Sequence, residues 1–142
     1  MFQPSQNDVR QFFCETLAKQ RQGLPMAPIE VLAAGWIDEH PEYHAELSDL
    51  PAALAAVYTV DDGRTNPFLH LSMHLAIEEQ LAIDQPPGIR ALYEQLRARC
   101  ETPHHAAHIV MDCLGAVLWQ AQRDGTAPDN EAYLECLQRQ LK

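Results

Sequence analysis

The stretch from Asn66 to Gln80 most constrains what this chain can fold into, because its first residues and the four-residue spacing of its histidines are typical of a helix. Asn66 is a residue type that caps free N–H groups, and Pro67 suits the first helical position since proline has no N–H to satisfy. Neither glycine nor proline follows until Pro86. The sequence therefore predicts a helix of about four turns or more, around which the other segments pack.

This predicted helix carries His70, His74 and Glu78 at intervals of four residues. Residues four apart are neighbours on a helix, so His70 and His74 can direct two imidazoles at one point, which is half of a common kind of metal site. His70 and Glu78 lie about 12 Å apart along the axis. One ion therefore takes either His70 with His74 or His74 with Glu78. Since His74 belongs to both pairs, we predict it to be the most sensitive single residue.

A second stretch, from Pro103 to Arg123, repeats this pattern with His104, His108 and Asp112. Apolar residues lie on or beside the same helical face, so this helix is predicted to pack inward. His105 points about 100° away and is predicted to be solvated. Two helices with matching histidine pairs suggest one metal site between them, in which the acids are further ligands or hold the imidazoles by hydrogen bonds.

A third segment, His40-Pro41-Glu42-Tyr43-His44, offers one more ligand. Pro41 disfavours a helical conformation at His40, so His40 is predicted to cap a new short helix that has His44 in its first turns. Either one of these two histidines is a third ligand, or His40 is only a boundary residue and His44 a surface one. The candidate metal site comprises His44, His70, His74, Glu78, His104, His108 and Asp112.

Imidazole ligands suit transition metals rather than magnesium or calcium, and zinc or iron are the divalent ions that we expect here. An open coordination position would let zinc activate a water molecule with Glu78 or Glu79 as general base, and iron could support redox chemistry. A closed site of four histidines would be structural or would store metal. The alternative is a metal-free structural or protein-interaction bundle with buried, hydrogen-bonded histidines. The sequence names neither an enzymatic reaction nor a small-molecule substrate.

The remaining segments predict an all-α fold, because every apolar segment has helical periodicity and none alternates as a strand does. We expect one helical domain over residues 1–142, a bundle of about six to seven helices, several of them short. Besides the two histidine helices, the predicted helices run from Ser5 to Gly23, from Pro28 to about Glu39 with Ile29, Leu32, Ala33 and Trp36 buried, over Ala52–Val57, from Ile89 to near Cys100 and from about Asn130 to Gln140. Asp61 to Thr65 is predicted to be a turn.

Charge and apolar content bear on partners and location. The chain has 10 basic and 20 acidic residues, for a formal charge of −10. Nucleic acid and anionic membranes need a clustered basic surface, so we expect neither as a partner. No apolar run is long enough to span a membrane and no secretory signal pattern is present, so a cytoplasmic location is expected. Broad apolar helix faces suggest a homodimer, the commonest symmetric assembly.

The four cysteines are Cys14, Cys100, Cys113 and Cys136, and no two form a Cys-x-x-Cys pair. Disulfides are rare in cytosolic chains of this size. Free cysteine packs as a small hydrophobic residue. We therefore expect buried free thiols.

Several motifs resemble an uncharacterised bacterial family known as domain of unknown function 1841. They are NPFLHLSMHLAIEEQ, DQPPGI, HPEYH, MDCLG and AQRDGTAPD, and the resemblance covers nearly the whole chain. It implies a small bacterial protein and transfers no activity. His104 and His108 fit the family's pattern, whereas His105 is peculiar to this chain. The histidine pairs are similar to those of helical-bundle metalloproteins such as the DinB-like proteins, but the similarity is limited to the residue types and their placement on helices.

Overall fold

The computed structural model describes residues 5–58 and 66–142. These residues form α-helices and no strand, which confirms the all-α prediction. Eight α-helices and one short 3-10 turn are described: α1 (Gln6–Gln22), α2 (Pro28–Asp38), the 3-10 turn (Pro41–Tyr43), α3 (His44–Leu47), α4 (Leu50–Ala55), α5 (Pro67–Ile83), α6 (Ile89–Arg99), α7 (Pro103–Asp124) and α8 (Asn130–Gln140). The predicted turn from Asp61 to Thr65 lies outside the described residues.

The chain divides into two compact units, Met1–Leu75 and Ala76–Lys142. In the first unit, α1 begins at Ser5, whose side chain accepts a hydrogen bond from the backbone N–H of Asp8. The helix ends at Gly23, which has a φ of 68° that glycine adopts without strain. Residues on one face of α1 pack with α2, α3, α4 and the start of α5 around a core that contains Phe13, Leu17, Ala33, Ile37, Leu47, Phe68 and Leu71.

The prediction for the buried face of α2 was partly wrong. Ala33 is fully buried as expected, but Ile29 and Leu32 are 48% and 45% exposed. Ile37, which was not predicted, is fully buried instead. Helix α2 has apolar residues all round, and periodicity alone cannot say which side of such a helix packs inward.

In the second unit, α6, α7 and α8 pack together beside the C-terminal part of α5. Tyr133 on α8 is buried, and its hydroxyl donates a hydrogen bond of 2.7 Å to the side-chain oxygen of Gln80 on α5. Burial raises the pKa of Tyr133 well above its usual value. The predicted stop after α5 is present at Asp84–Gly88, where Asp84 has a φ of 51° and accepts the backbone N–H of Arg90.

The expectation of four free thiols was wrong for two of the cysteines. Cys113 on α7 and Cys136 on α8 form a disulfide, with their Cα atoms 5.8 Å apart. The cause is the packing of α7 on α8, two helices joined by a short connection. Such packing brings together residues 23 apart in sequence, which cysteine spacing does not reveal. Cys14 and Cys100 are free thiols, and Cys14 is buried.

Within residues 5–58 and 66–142, every helix is too short or too polar to cross a membrane. The expectation of a single domain over residues 1–142 stays a prediction.

Candidate metal centre

The carboxyl end of α2 positions the first histidine of the candidate site. His40 precedes Pro41 and has φ and ψ of −128° and 64°, so the chain leaves the helix at this residue. The Nδ1 atom of the His40 ring lies 2.7 Å from the carbonyl oxygen of Trp36, in the last turn of α2. A carbonyl only accepts, so Nδ1 of His40 carries the hydrogen and donates it. In the neutral ring, Nε2 of His40 then presents a lone pair.

Helix α5 supplies the next two histidines. Asn66 caps this helix, its side-chain oxygen accepting the backbone N–H groups of Phe68 and Leu69 at 3.0 and 3.2 Å. The helix therefore begins where the sequence predicts, and His70 and His74 fall one turn apart on one face.

The three imidazoles converge through their Nε2 atoms. Nε2 of His70 lies 3.1 Å from Nε2 of His40 and 3.2 Å from Nε2 of His74. The candidate ligand atoms of His40 and His74 lie within 4.8 Å of one another. His40 is 2% exposed and His74 is fully buried. The cluster therefore lies inside the first unit.

Hydrogen bonding between the rings accounts for only part of this arrangement. A ring nitrogen has a single in-plane position, which holds either a hydrogen or a lone pair. Nε2 of His70 can therefore form one good hydrogen bond, yet it has two Nε2 neighbours. Zinc–nitrogen bonds of 2.0–2.1 Å in a tetrahedron place the ligand atoms about 3.3 Å apart, close to both contacts. Both Nε2 contacts of His70 therefore have the spacing of ligand atoms that share one cation.

Aromatic rings hold two of these imidazoles in orientation. The indole of Trp36 stacks on His74, with the ring centroids 3.9 Å apart and the planes 8° from parallel. Tyr43 stacks on His40 at 5.3 Å and meets His70 edge-on at 5.7 Å. Burial, with smaller contributions from Glu42 and Glu46, raises the pKa of Tyr43, so its hydroxyl is neutral at pH 7. Trp36 and Tyr43 therefore present uncharged rings to the cluster.

His44, a ligand candidate from the sequence, hydrogen-bonds to the carboxyl end of α2. Its Nε2 lies 2.9 Å from the carbonyl oxygen of Ile37, so this nitrogen carries a hydrogen and donates it. His44 and His40 thus both satisfy carbonyl groups at the carboxyl end of α2, where a helix leaves its last carbonyls without intrahelical partners.

The second unit contains the other predicted histidine pair. His104 and His108 lie one turn apart on α7, with their Nε2 atoms 3.0 Å apart and both side chains half-buried. Asp112 is exposed on the same helix, and His105 is exposed as predicted. Glu78 is half-buried.

The pKa of Tyr93 is affected by the charge of Glu78. Burial raises the pKa of Tyr93, Arg97 opposes the rise, and the carboxylate of Glu78 adds to it. Glu78 therefore lies near enough to Tyr93, within the second unit, for its charge to act on the phenol.

Sequence reasoning named His70 and His74, left the third histidine open between His40 and His44, and included only His44 in the candidate set. The available signal was Pro41, which takes His40 out of the helix directly after the apolar residues Trp36 and Ile37. A histidine held at the edge of an apolar helix end is a candidate for burial. The stacking of Trp36 on His74 could not be predicted from the sequence.

Comparison with known proteins gives a family but no activity. No curated protein and no solved structure matches the chain. A family model does match, over residues 5–139, and it covers α1 to α7 completely and nearly all of α8. The chain therefore belongs to the family described as Domain of unknown function (DUF1841).

Proposed function

We propose that the protein binds a divalent transition metal ion through the Nε2 atoms of His40, His70 and His74. One observation carries the proposal: Nε2 of His70 has two Nε2 neighbours, at 3.1 and 3.2 Å, and can form a good hydrogen bond with only one of them. A cation at the common point accepts all three lone pairs at once. Three imidazoles suit zinc, iron, copper or nickel, and zinc is the ion that tolerates tetrahedral geometry best.

The surroundings support the same proposal. Histidine ligands of metals usually donate their second ring N–H to a carbonyl or carboxylate, which fixes the tautomer. The bond from Nδ1 of His40 to Trp36 is of this kind. Stacking of Trp36 on His74 limits rotation of that ring. A site with its ligands held in place in this way loses little entropy when it binds an ion.

Three protein ligands would leave a fourth position for water, for a substrate or for a further residue. The sequence hypothesis that His104 and His108 bind the same ion stays a prediction. Substituting His104 and His108 tests whether a further residue occupies the fourth position. An ion with four protein ligands favours a structural or storage role, whereas a zinc-bound water in that position favours hydrolytic chemistry.

The metal-free alternative has one observation in its favour. His40 and His44 both bond to carbonyls of α2, as structural histidines do. Under this alternative Nε2 of His70 would form a hydrogen bond with only one of the two neighbouring Nε2 atoms, and added metal would not stabilise the fold.

The test is zinc-dependent melting of protein made without a histidine tag and stripped of metal. Free zinc at about 100 times its Kd should stabilise the native state by about 2.7 kcal/mol, a rise of about 10 °C in Tm. His70→Ala, at a half-buried position, should remove most of this rise. His105→Ala replaces an exposed histidine and should keep it. A zinc response that is absent, or equal in all three proteins, would refute the proposal.

A further inference from the structure

A buried cation in the first unit is independent of the histidine cluster. Arg10 on α1 is only 7% exposed. Its Nη1 donates to the carbonyl oxygens of Ala53 and Ala56 at 2.8 and 2.7 Å, at the carboxyl end of α4. Its guanidinium carbon lies 5.6 Å from the ring centre of Tyr58 and 5.5 Å from that of Phe68. These contacts hold the guanidinium in one place.

The contacts of Arg10 do not neutralise its charge. Among the residues that the structure describes, none gives Arg10 a carboxylate partner, although the chain has 20 acidic residues. The end of α4 offers a partial negative charge of about half a unit, and aromatic faces contribute a further weak attraction. Arginine has five N–H donors, and only those on Nη1 make hydrogen bonds with described residues. A buried cation with donors to spare is suited to an anion.

Arg10 lines a cavity of about 260 Å³. Its polar lining is Arg10 with the side chains of Gln6, Asn66 and Ser72, and none of the lining residues that the structure describes is acidic. The side-chain oxygen of Asn66 already caps α5, so its NH₂ group is the part left to donate. The other described residues of its lining are apolar: Val9, Phe68 and Leu69. The cavity therefore combines one cation with an apolar surface.

We propose that this cavity binds a small monocarboxylate with a short apolar chain. The carboxylate accepts hydrogen bonds from N–H donors of Arg10 other than those on Nη1 and from the amide of Asn66, and the alkyl chain of the ligand lies against Val9, Phe68 and Leu69. A dianion such as phosphate fits less well, because one guanidinium neutralises one charge and the apolar walls exclude the water that a second charge needs. The binding site is separate from the proposed metal ligands.

The first test compares butyrate with butyramide, which has a similar shape and no charge. Each is titrated into the full chain at constant ionic strength while the Nε–Hε signal of Arg10 is followed by nuclear magnetic resonance. Butyrate should shift this signal with saturation, at least about tenfold more tightly than butyramide, since hydrogen bonds between two charged groups are stronger than those to a neutral amide. Inorganic phosphate should bind more weakly than butyrate.

A matched pair of substitutions locates the site. Leu69 and Ile83 both lie on α5 and are 60% and 59% exposed, but only Leu69 lines the cavity. Leu69→Glu brings a negative charge to the cavity and should weaken butyrate binding about tenfold or more. Ile83→Glu should leave butyrate binding unchanged.

Four results would overturn the proposal. They are equal binding of butyrate and butyramide, tighter binding of phosphate, full butyrate affinity in Leu69→Glu, and an Arg10 signal that does not move at all.

Discussion

At the scale of single residues, His70 is the centre of the candidate metal site. The sequence predicts His74 as the most sensitive residue, because it has two potential ligands one turn away. In the structure it is His70 whose Nε2 has two Nε2 neighbours, since His40 approaches from the end of α2. The spacing of His70 and His74 could be predicted because it is local to one helix. The approach of His40 depends on how α2 packs, which spacing does not contain.

Trp36 provides a residue-level prediction, because its indole lies against a proposed ligand. One equivalent of copper(II), which quenches tryptophan emission at short range, should quench most of the Trp36 fluorescence through His74. The other tryptophan, Trp119, is 57% exposed and packs against the guanidinium of Arg123. Fluorescence titration should show strong quenching in Trp119→Phe and little in Trp36→Phe. Strong quenching that survives in Trp36→Phe and vanishes in Trp119→Phe would argue against copper binding next to Trp36.

At the scale of elements, the helix ends could be predicted closely and the helix faces less well. Ser5, Gly23 and Asn66 act through hydrogen bonds and backbone conformation within a few residues, so their effects are visible in the sequence. The outward direction of Ile29 and Leu32 depends on which neighbours cover α2. The same limit explains the missed disulfide, whose cysteines meet only after two helices pack.

The disulfide between α7 and α8 leads to a prediction about the second unit. Cys136→Ser should lower the stability of oxidised protein by about 3.5 kcal/mol, because the cross-link closes a loop with a sequence separation of 23. The measurement is urea denaturation, with Cys100→Ser as the control, since Cys100 is a free and half-buried thiol. Thiol alkylation of unreduced, unfolded protein should label Cys14 and Cys100 only. Labelling of all the cysteines without reductant would mean that the bond is not formed.

At the scale of the whole molecule, the family and the fold class agree with the sequence analysis, and function is the part that neither supplies. The family model spans residues 5–139, yet its description contains no activity. Helical periodicity repeats along the chain, so the fold class could be predicted from it. A ligand leaves no such repeated pattern, and the function has to be argued from single atoms such as Nε2 of His70. The predicted homodimer stays a prediction.

The single-domain expectation leads to a prediction for the whole chain. If residues 1–142 unfold as one domain, calorimetry should give equal calorimetric and van't Hoff enthalpies. The calorimetric enthalpy should be about 100 kcal/mol near 60 °C for a chain of 142 residues. The two compact units, Met1–Leu75 and Ala76–Lys142, provide the alternative. Two separate transitions would contradict a single domain, if reduction of the disulfide lowers the Tm of only the transition that belongs to Ala76–Lys142.

The most direct test of the proposed metal centre is a cobalt(II) titration of the untagged, metal-free protein followed by visible absorption. Cobalt(II) takes the tetrahedral geometry of zinc and absorbs strongly there, so the spectrum reports both binding and geometry. The proposed site predicts a saturable visible band at one equivalent, absent in His70→Ala and intact in His105→Ala. No saturable band in the unmodified protein, or an unchanged band in His70→Ala, would contradict metal binding by His40, His70 and His74.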